Sequence, residues 1–112
     1  MSCMNLPDIG GVWIISKPIR ADLELVQSGN AIWGTYHNSE VEGAIEGTLT
    51  MDGEDNTPIL TGKWADRLGA GDFRVVIGEV ASSNRMFFRG DWKHSGSHSW
   101  DGSFEGEGHA TG

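Results

Sequence analysis

The stretch FFRGDW, residues 87–92, places a glycine two positions before a tryptophan. In an extended strand, successive side chains alternate between the two faces of the sheet, so this glycine and this tryptophan share a face. Composition alone gives roughly one or two such coincidences in a chain of this kind. The same step nevertheless recurs at five other places: Gly11 to Trp13, Gly34 to Tyr36, Gly62 to Trp64, Gly71 to Phe73 and Gly102 to Phe104.

Eight apolar runs can be separated at turn residues along the chain. Short strands at such regular spacing indicate an all-β sandwich or barrel. No gap between the runs is long enough for a helical crossover, so each strand is expected to pair with its neighbours in sequence. The predicted strands cover about 11–17, 21–28, 30–37, 41–50, 58–65, 71–80, 85–93 and 98–106.

Within each run, the glycines and apolar residues fall on one face and the charged residues on the other. In VEGAIEGTLT, for example, Val41, Ile45 and Leu49 oppose Glu42 and Glu46. A glycine inside a strand needs a structural reason, and two suffice: a bend where the sheet coils, and space for a large ring from a neighbouring strand. The prediction is all-β, a single antiparallel up-and-down barrel of about eight strands with meander connectivity.

The chain of 112 residues is long enough for one domain and too short for two ordinary ones. We expect residues 1–112 to form a single β-barrel domain, with 1–9 as an N-terminal extension and 107–112 as a loose tail. The single cysteine, Cys3, lies in that extension and excludes an internal disulfide. The acidic segment 52–56 lacks the spacing of a calcium loop and is expected to form a hairpin turn.

The formal net charge is −8, with 16 acidic residues against eight lysines and arginines. This argues against sequence-independent nucleic-acid binding, which needs a basic face, and against binding to anionic membrane surfaces. The first residues lack the basic start and apolar region of a signal peptide, and no apolar run approaches the ~20 residues of a spanning helix. The expected location is therefore cytoplasmic.

The chain resembles the calycin-type up-and-down barrels, and among them the avidins most closely. The motifs GVW at 11–13, GNAIWGTY at 29–36 and ILTGKW at 59–64 look like the avidin pattern. That pattern has an opening Gly-x-Trp, a Gly-Thr-Tyr strand and a later Leu-Thr-Gly-aromatic strand. The resemblance implies the barrel fold.

Few of the positions that bind biotin in avidins have a matching residue in this chain. Tyr36 matches the ligand-contacting tyrosine of the family, but Ile15 stands where avidins have the asparagine that bonds the biotin ureido oxygen. Asn38 stands where the family has a serine. The resemblance therefore supports the fold and argues against biotin as the ligand.

A barrel of this size can be fully packed or can hold one small ligand. Both alternatives stay open: a solid aromatic core, or a cavity at the wider mouth lined by Tyr36, Trp64, Trp92 and Trp100. With a cavity, the expected function is non-catalytic binding of a small apolar or aromatic ligand, and no cofactor is expected. The residues expected to face inward are Trp13, Ile15, Leu23, Leu25, Ile32, Tyr36, Ile45, Leu49, Leu60, Trp64, Phe73, Val75, Ile77, Phe88, Trp92, Trp100 and Phe104.

Other functions are weighed against this one. A lectin-like module could stack sugars on outward rings such as Trp33 and Phe87. His94 and His98 lie in a Gly/Ser loop without a third ligand, so they are expected to be solvated rather than metal-binding. No nucleophile motif or phosphate loop occurs, so an enzyme is the less favoured alternative. Its acid–base groups would come from Asp66, Asp91, Asp101, Glu105 and Glu107.

At certain outward positions, where alternation leads us to expect polar residues, the sequence has apolar ones. Exposed apolar patches rarely stay uncovered, and aromatic residues are enriched in interfaces. We therefore expect a homo-oligomer, most simply a two-fold dimer in which Trp33 and Phe87 are buried together. The full set of predicted interface residues is Val12, Ile14, Trp33, Val76 and Phe87.

Overall fold

A computed structural model describes residues 6–51, 57–79 and 85–109, and every regular element in these ranges is a β-strand. Each strand pairs antiparallel with the next, and the last pairs with the first, so that the sheet closes. The eight-stranded meander barrel predicted from the sequence is confirmed. Its strands are β1 (Gly11–Lys17), β2 (Ala21–Ser28), β3 (Ala31–His37), β4 (Glu42–Met51), β5 (Pro58–Asp66), β6 (Gly69–Glu79), β7 (Arg85–His94) and β8 (Gly102–His109).

The turn between β5 and β6 comes earlier than predicted. Asp66 Oδ1 accepts a hydrogen bond from the main-chain N–H of Leu68 at 2.8 Å. This bond reverses the chain within two residues, and Gly69 already pairs with Asp66. Gly69 and Ala70, which lie between the predicted strands 58–65 and 71–80, are therefore part of β6.

The last strand is displaced toward the C-terminus of the chain. Asp101 Oδ2 accepts hydrogen bonds from the main-chain N–H of His94 at 2.8 Å and from Ser97 Oγ at 3.2 Å. These bonds hold the β7–β8 connection as a loop, so ladder pairing with β7 begins only at Gly102. The predicted strand over 98–106 thus starts too early.

The same strand also ends later than predicted. Gly108 pairs with Trp13 of β1, and His109 pairs with Arg85 of β7. The prediction of a loose tail over 107–112 is wrong for 107–109, because both neighbouring strands provide hydrogen-bonding partners there. Residues 110–112 lie outside the described residues.

Some predictions fall on parts of the chain outside the described ranges. They concern Cys3 and the acidic turn at 52–56, and they stay predictions. In the described ranges, no helix is long and apolar enough to cross a membrane.

Residues 6–9 of the predicted N-terminal extension close one end of the barrel. Ile9 is 1% exposed, and its carbonyl accepts a hydrogen bond from Trp13 Nε1 at 2.9 Å. The side chain of Gln27 accepts from the N–H of Ile9 at 2.8 Å and donates to the carbonyl of Pro7 at 3.1 Å. Leu6 packs against the core. This segment is therefore an integral plug.

The interior follows the predicted alternation closely. All predicted inward residues are buried except three: Trp64 and Trp92 are partly buried against the core, and Trp100 is 43% exposed. Val41, placed on the apolar face by alternation, is buried too, and three further buried apolar residues were not predicted: Ile9, Ala21 and Met86.

The strand glycines serve both of the purposes expected from the sequence. A Cβ added to Gly90 would collide with the carbonyl oxygen of Arg74 on β6, so the two backbones lie closer than any side chain permits. Gly108 instead lies beneath a ring, since a Cβ there would lie 2.8 Å from Cδ2 of Trp13. The first kind lets the sheet coil tightly, and the second leaves space for large interior side chains.

Gly90→Ala is expected to lower the free energy of unfolding by at least about 2 kcal/mol, because the obstacle is a main-chain oxygen that cannot change rotamer. Gly10→Ala is the matched control, since a Cβ there meets its nearest atom, Asp8 Oδ1, at an ordinary 3.4 Å. Chemical denaturation measures both variants. Equal stabilities would contradict the close-approach explanation.

Candidate ligand-binding site

A cavity of about 280 Å³ opens at the end of the barrel opposite the N-terminal plug. The β1–β2, β3–β4, β5–β6 and β7–β8 connections surround this mouth. The plugged half is packed, with a void of about 10 Å³. Of the two alternatives left open by the sequence, the packed core thus describes the plugged half of the barrel, and the cavity describes the half at the mouth. The cavity is lined by Ile15, Pro18, Ile19, Tyr36, Ile45, Trp64, Asp66, Leu68, Phe73, Trp92, His94 and Phe104.

Three rings from β5 and β7 form one side of the mouth. Trp64 and Trp92 meet edge to face with their centroids 5.7 Å apart, and the His94 ring lies 5.4 Å and 5.1 Å from them. Trp64 Nε1 donates to the carbonyl of Lys93 at 3.1 Å, which fixes its ring. Trp92 packs over Gly102, and its buried Nε1 has no hydrogen-bond acceptor among the described residues.

A tyrosine and a carboxylate form the main polar pair of the cavity. The hydroxyl of Tyr36 donates to Asp66 Oδ2 at 2.6 Å. Burial raises the pKa of Tyr36 far above its ordinary value, and the hydrogen bond and the negative charge of Asp66 raise it further. Tyr36 therefore remains a neutral donor.

The imidazole of His94 is held at the rim by the β7–β8 connection. Its Nδ1 lies 3.3 Å from Asp101 Oδ2. The pKa of Asp101 lies below its ordinary value, first because of the hydrogen bond from the His94 main chain and then because of those from Ser97 and the His94 ring. Asp101 thus stays ionised and serves mainly to order this loop.

Three of the four predicted ligand-binding residues, Tyr36, Trp64 and Trp92, line the cavity. Trp100 does not. It lies in the loop that Asp101 holds, and its ring sits 5.3 Å from the ammonium of Lys93 on the outward-facing side of β7. The alternation rule extended β8 one step too far and so assigned Trp100 to the interior.

Several rim residues were not predicted as ligand-binding residues. Asp66 was considered only as a catalytic group and His94 only as a solvated one, whereas Pro18, Ile19 and Leu68 were not singled out. Apart from Asp66 and His94, which end their strands, these residues lie in connections, where period-two alternation gives no direction. The Asp-x-Leu-Gly turn at 66–69 was the available signal, because an aspartate there caps the turn with its own side chain.

The predicted interface residues do not form one surface. Trp33 on β3 and Phe87 on β7 are four strands apart in a ring of eight, so they lie on opposite sides of the barrel. Phe87 rests on Gly78 and is covered by the guanidinium of Arg89, 5.6 Å from the ring centroid. A single two-fold contact therefore cannot bury Trp33 and Phe87 together. Alternation predicts whether a residue faces inward or outward, but it does not predict where around the barrel an outward residue lies.

Three of the exposed apolar side chains lie on the adjacent strands β1, β2 and β3. Trp33 is 45% exposed and pairs directly with Val26, which is 46% exposed and was not predicted. Val12 on β1 is 62% exposed, whereas Ile14 and Val76 are half-buried.

The remaining acidic candidates lie on the outer wall. Asp91 is exposed opposite Ser103, and Glu107 pairs with Arg85. Glu105 pairs across the ladder with Arg89. In the part of the chain that the structure describes, no group of three or more His, Cys, Asp or Glu side chains is arranged to hold a metal ion.

No family model matches this chain, and a search of curated proteins finds no relative. The likeness to avidins stays a prediction. Asn38, at the family's serine position, donates to the carbonyl of Arg20 at 3.0 Å and accepts from the N–H groups of Glu40 and Val41. Asn38 is thus engaged in the β3–β4 turn, and Ile15 gives the cavity wall an apolar side chain where the family has an amide.

Tyr36 is the single tyrosine in the sequence, so its ionisation can be followed by near-ultraviolet absorbance. In the folded protein, tyrosinate is expected only at a pH well above the ordinary value of about 10. The neutral form then stabilises the fold fully below that value, and this stabilisation is lost as the pH rises toward the raised pKa. Asp66→Asn should bring the pKa down part of the way, because burial remains. Tyrosinate appearing at the ordinary pKa in the native protein would contradict the Tyr36–Asp66 geometry.

Proposed function

We propose that the protein is a non-catalytic barrel that binds one small apolar or aromatic molecule in its open end. The observation that carries this proposal is the cavity of about 280 Å³, walled by aromatic and aliphatic side chains, in a barrel whose other half is packed. A concave, mostly apolar site with a few polar groups is typical of small-molecule binding. Its volume suits a molecule of one or two rings.

The polar groups at the mouth support binding more than catalysis. Asp101 accepts three hydrogen bonds within its own loop, and Asp66 accepts one from Tyr36 and one from Leu68. Groups held in this way orient a ligand and order the rim. Efficient acid–base catalysis needs a group whose pKa is poised near the working pH, and the pKa of Asp101 is shifted away from neutrality.

Quinoline, a two-ring heterocycle, is expected to quench the tryptophan emission saturably and to raise the melting temperature. A ligand at about 100 times its Kd adds about 2.7 kcal/mol of stability. Trp64→Phe should weaken the quenching because this ring lines the cavity, whereas Trp33→Phe and Trp100→Phe should preserve it. A response to mono- and disaccharides without any response to quinoline would favour the lectin-like alternative. No response to either would contradict the binding proposal.

We also propose self-association through the surface of Val26 and Trp33, because these exposed side chains lie directly opposite each other on adjacent strands. A two-fold dimer would bury this pair against its own copy. Sedimentation of Trp33→Ser should give monomers, and Phe87→Ser should leave the dimer intact, since Phe87 lies on the opposite side of the barrel. Monomeric unmodified protein at micromolar concentrations would contradict the dimer.

A further inference from the structure

Asp66 is an acidic group in the wall of an otherwise apolar cavity, and its hydrogen-bond partners are neutral. One carboxylate oxygen accepts from the hydroxyl of Tyr36 at 2.6 Å, and the other accepts from the main-chain N–H of Leu68 at 2.8 Å. Each carboxylate oxygen can accept a second hydrogen bond. The site therefore has a fixed negative charge with acceptor capacity to spare.

Among the described residues, Asp66 has no cationic partner. The ion pairs found there join Lys63 to Asp72, Arg85 to Glu107 and His94 to Asp101. The neighbouring Arg67 makes no ion pair with Asp66, and its guanidinium donates instead to the carbonyl of Glu40 at 2.7 Å. The described residues that line the cavity include no lysine or arginine. The Asp66 carboxylate is thus available to a cationic ligand.

The rings around Asp66 favour the same kind of ligand. The faces of tryptophan and tyrosine rings carry negative electrostatic potential and attract cations. Tyr36, Trp64 and Trp92 all line the cavity together with Asp66. The formal net charge of −8 raises the local concentration of cations and lowers that of anions. The cavity wall therefore presents an anionic ligand with the carboxylate of Asp66 and, among the described residues, with no lysine or arginine.

The geometry points to an amine as the ligand class: a small aromatic or alkyl amine whose ammonium binds the Asp66 carboxylate while its apolar part lies in the cavity against the aromatic side chains. This inference rests on the proposed function, since it specifies which small molecules the cavity accepts. Tyr36 is a positioning residue in this arrangement, because its hydroxyl fixes the direction of the carboxylate. Phe73 and Phe104 supply the apolar floor against which the ligand packs.

The test compares benzylamine with benzyl alcohol, which has nearly the same shape and no charge, by isothermal titration calorimetry at neutral pH. The unmodified protein should bind benzylamine about ten times more tightly, because its ammonium adds an opposite charge to the hydrogen bond with the carboxylate. Asp66→Asn should remove this preference, because it weakens the binding of benzylamine far more than that of benzyl alcohol. Asp91→Asn removes an exposed carboxylate from the outer wall, with the same change in net charge, and should leave the preference intact.

The possible outcomes of this comparison test the amine inference and the proposed binding function separately. Equal affinities for the two probes in the unmodified protein overturn the amine inference and leave the binding barrel standing. A preference that persists in Asp66→Asn, or that is lost equally in Asp91→Asn, also overturns it, because the overall charge would then be responsible. Binding of neither probe, together with no response to quinoline, overturns the proposed function as well.

A measurement on the unmodified protein keeps the inference testable if Asp66→Asn does not fold. Carbon-13 NMR of the aspartate carboxyl groups should show the Asp66 resonance shifting on addition of benzylamine and the Asp91 resonance staying in place. Benzyl alcohol should produce a smaller shift at Asp66. An Asp66 resonance that does not respond to benzylamine overturns the inference.

Discussion

The barrel depends on the close approach of neighbouring backbones at strand glycines. Gly47 on β4 and Gly62 on β5 stand opposite each other in the ladder. A Cβ on Gly47 would strike the carbonyl of Thr61, and one on Gly62 would strike the carbonyl of Glu46. A sheet that coils this tightly can close after eight strands and leave no unpaired edge. The glycines weaken each strand individually, and closure compensates because every strand gains two neighbours.

The same Gly-x-aromatic step also builds the cavity, and strand direction decides how. On β3, β5 and β7, which run toward the mouth, the ring follows the glycine and lies nearer the opening; these rings are Tyr36, Trp64 and Trp92. On β6 and β8, which run away from the mouth, the ring lies deeper than its glycine. Phe73 and Phe104 accordingly meet at a centroid distance of 5.5 Å and form the floor. The same local pattern thus forms both the rim and the floor of the cavity, because neighbouring strands run in opposite directions.

The sequence was sufficient to predict the fold because period-two alternation reports burial directly. It placed Trp13, Leu49 and Val75 in the interior, where each is at most 1% exposed. It failed where the chain leaves the strand geometry. Ile9 is buried from an irregular segment, and Trp100 is excluded by hydrogen bonds to Asp101 that no periodicity reveals.

The candidate site was predictable to the extent that strands build it. The three rim rings follow from alternation, whereas Asp66 and His94 act through connections that bring distant parts of the chain together. Tyr36 and Asp66 are separated by 30 residues in sequence, and their hydrogen bond exists because β3 and β5 both end at the mouth. The prediction that Trp33 and Phe87 share one interface was wrong for a related reason. The side of the barrel on which an outward residue lies depends on the order of the strands around the ring, and the pattern within one strand does not contain that order.

Besides the hydroxyl of Tyr36 on β3, the polar groups of the cavity wall include those of Asp66 and His94, two residues at strand ends that loops hold in place. Within the described ranges, no charged side chain is buried in the core. The carboxylate of Asp66 is held by the N–H of Leu68 in the β5–β6 connection, and the imidazole of His94 is held by the carboxylate of Asp101 in the β7–β8 connection. A change of residue in these connections would alter the charge offered to a ligand without breaking a ladder bond or changing the aromatic wall. In the proposed binding barrel, closure and apolar affinity would therefore reside in the strands, and discrimination between ligands would reside in the ends of β5 and β7 and the two loops that hold them.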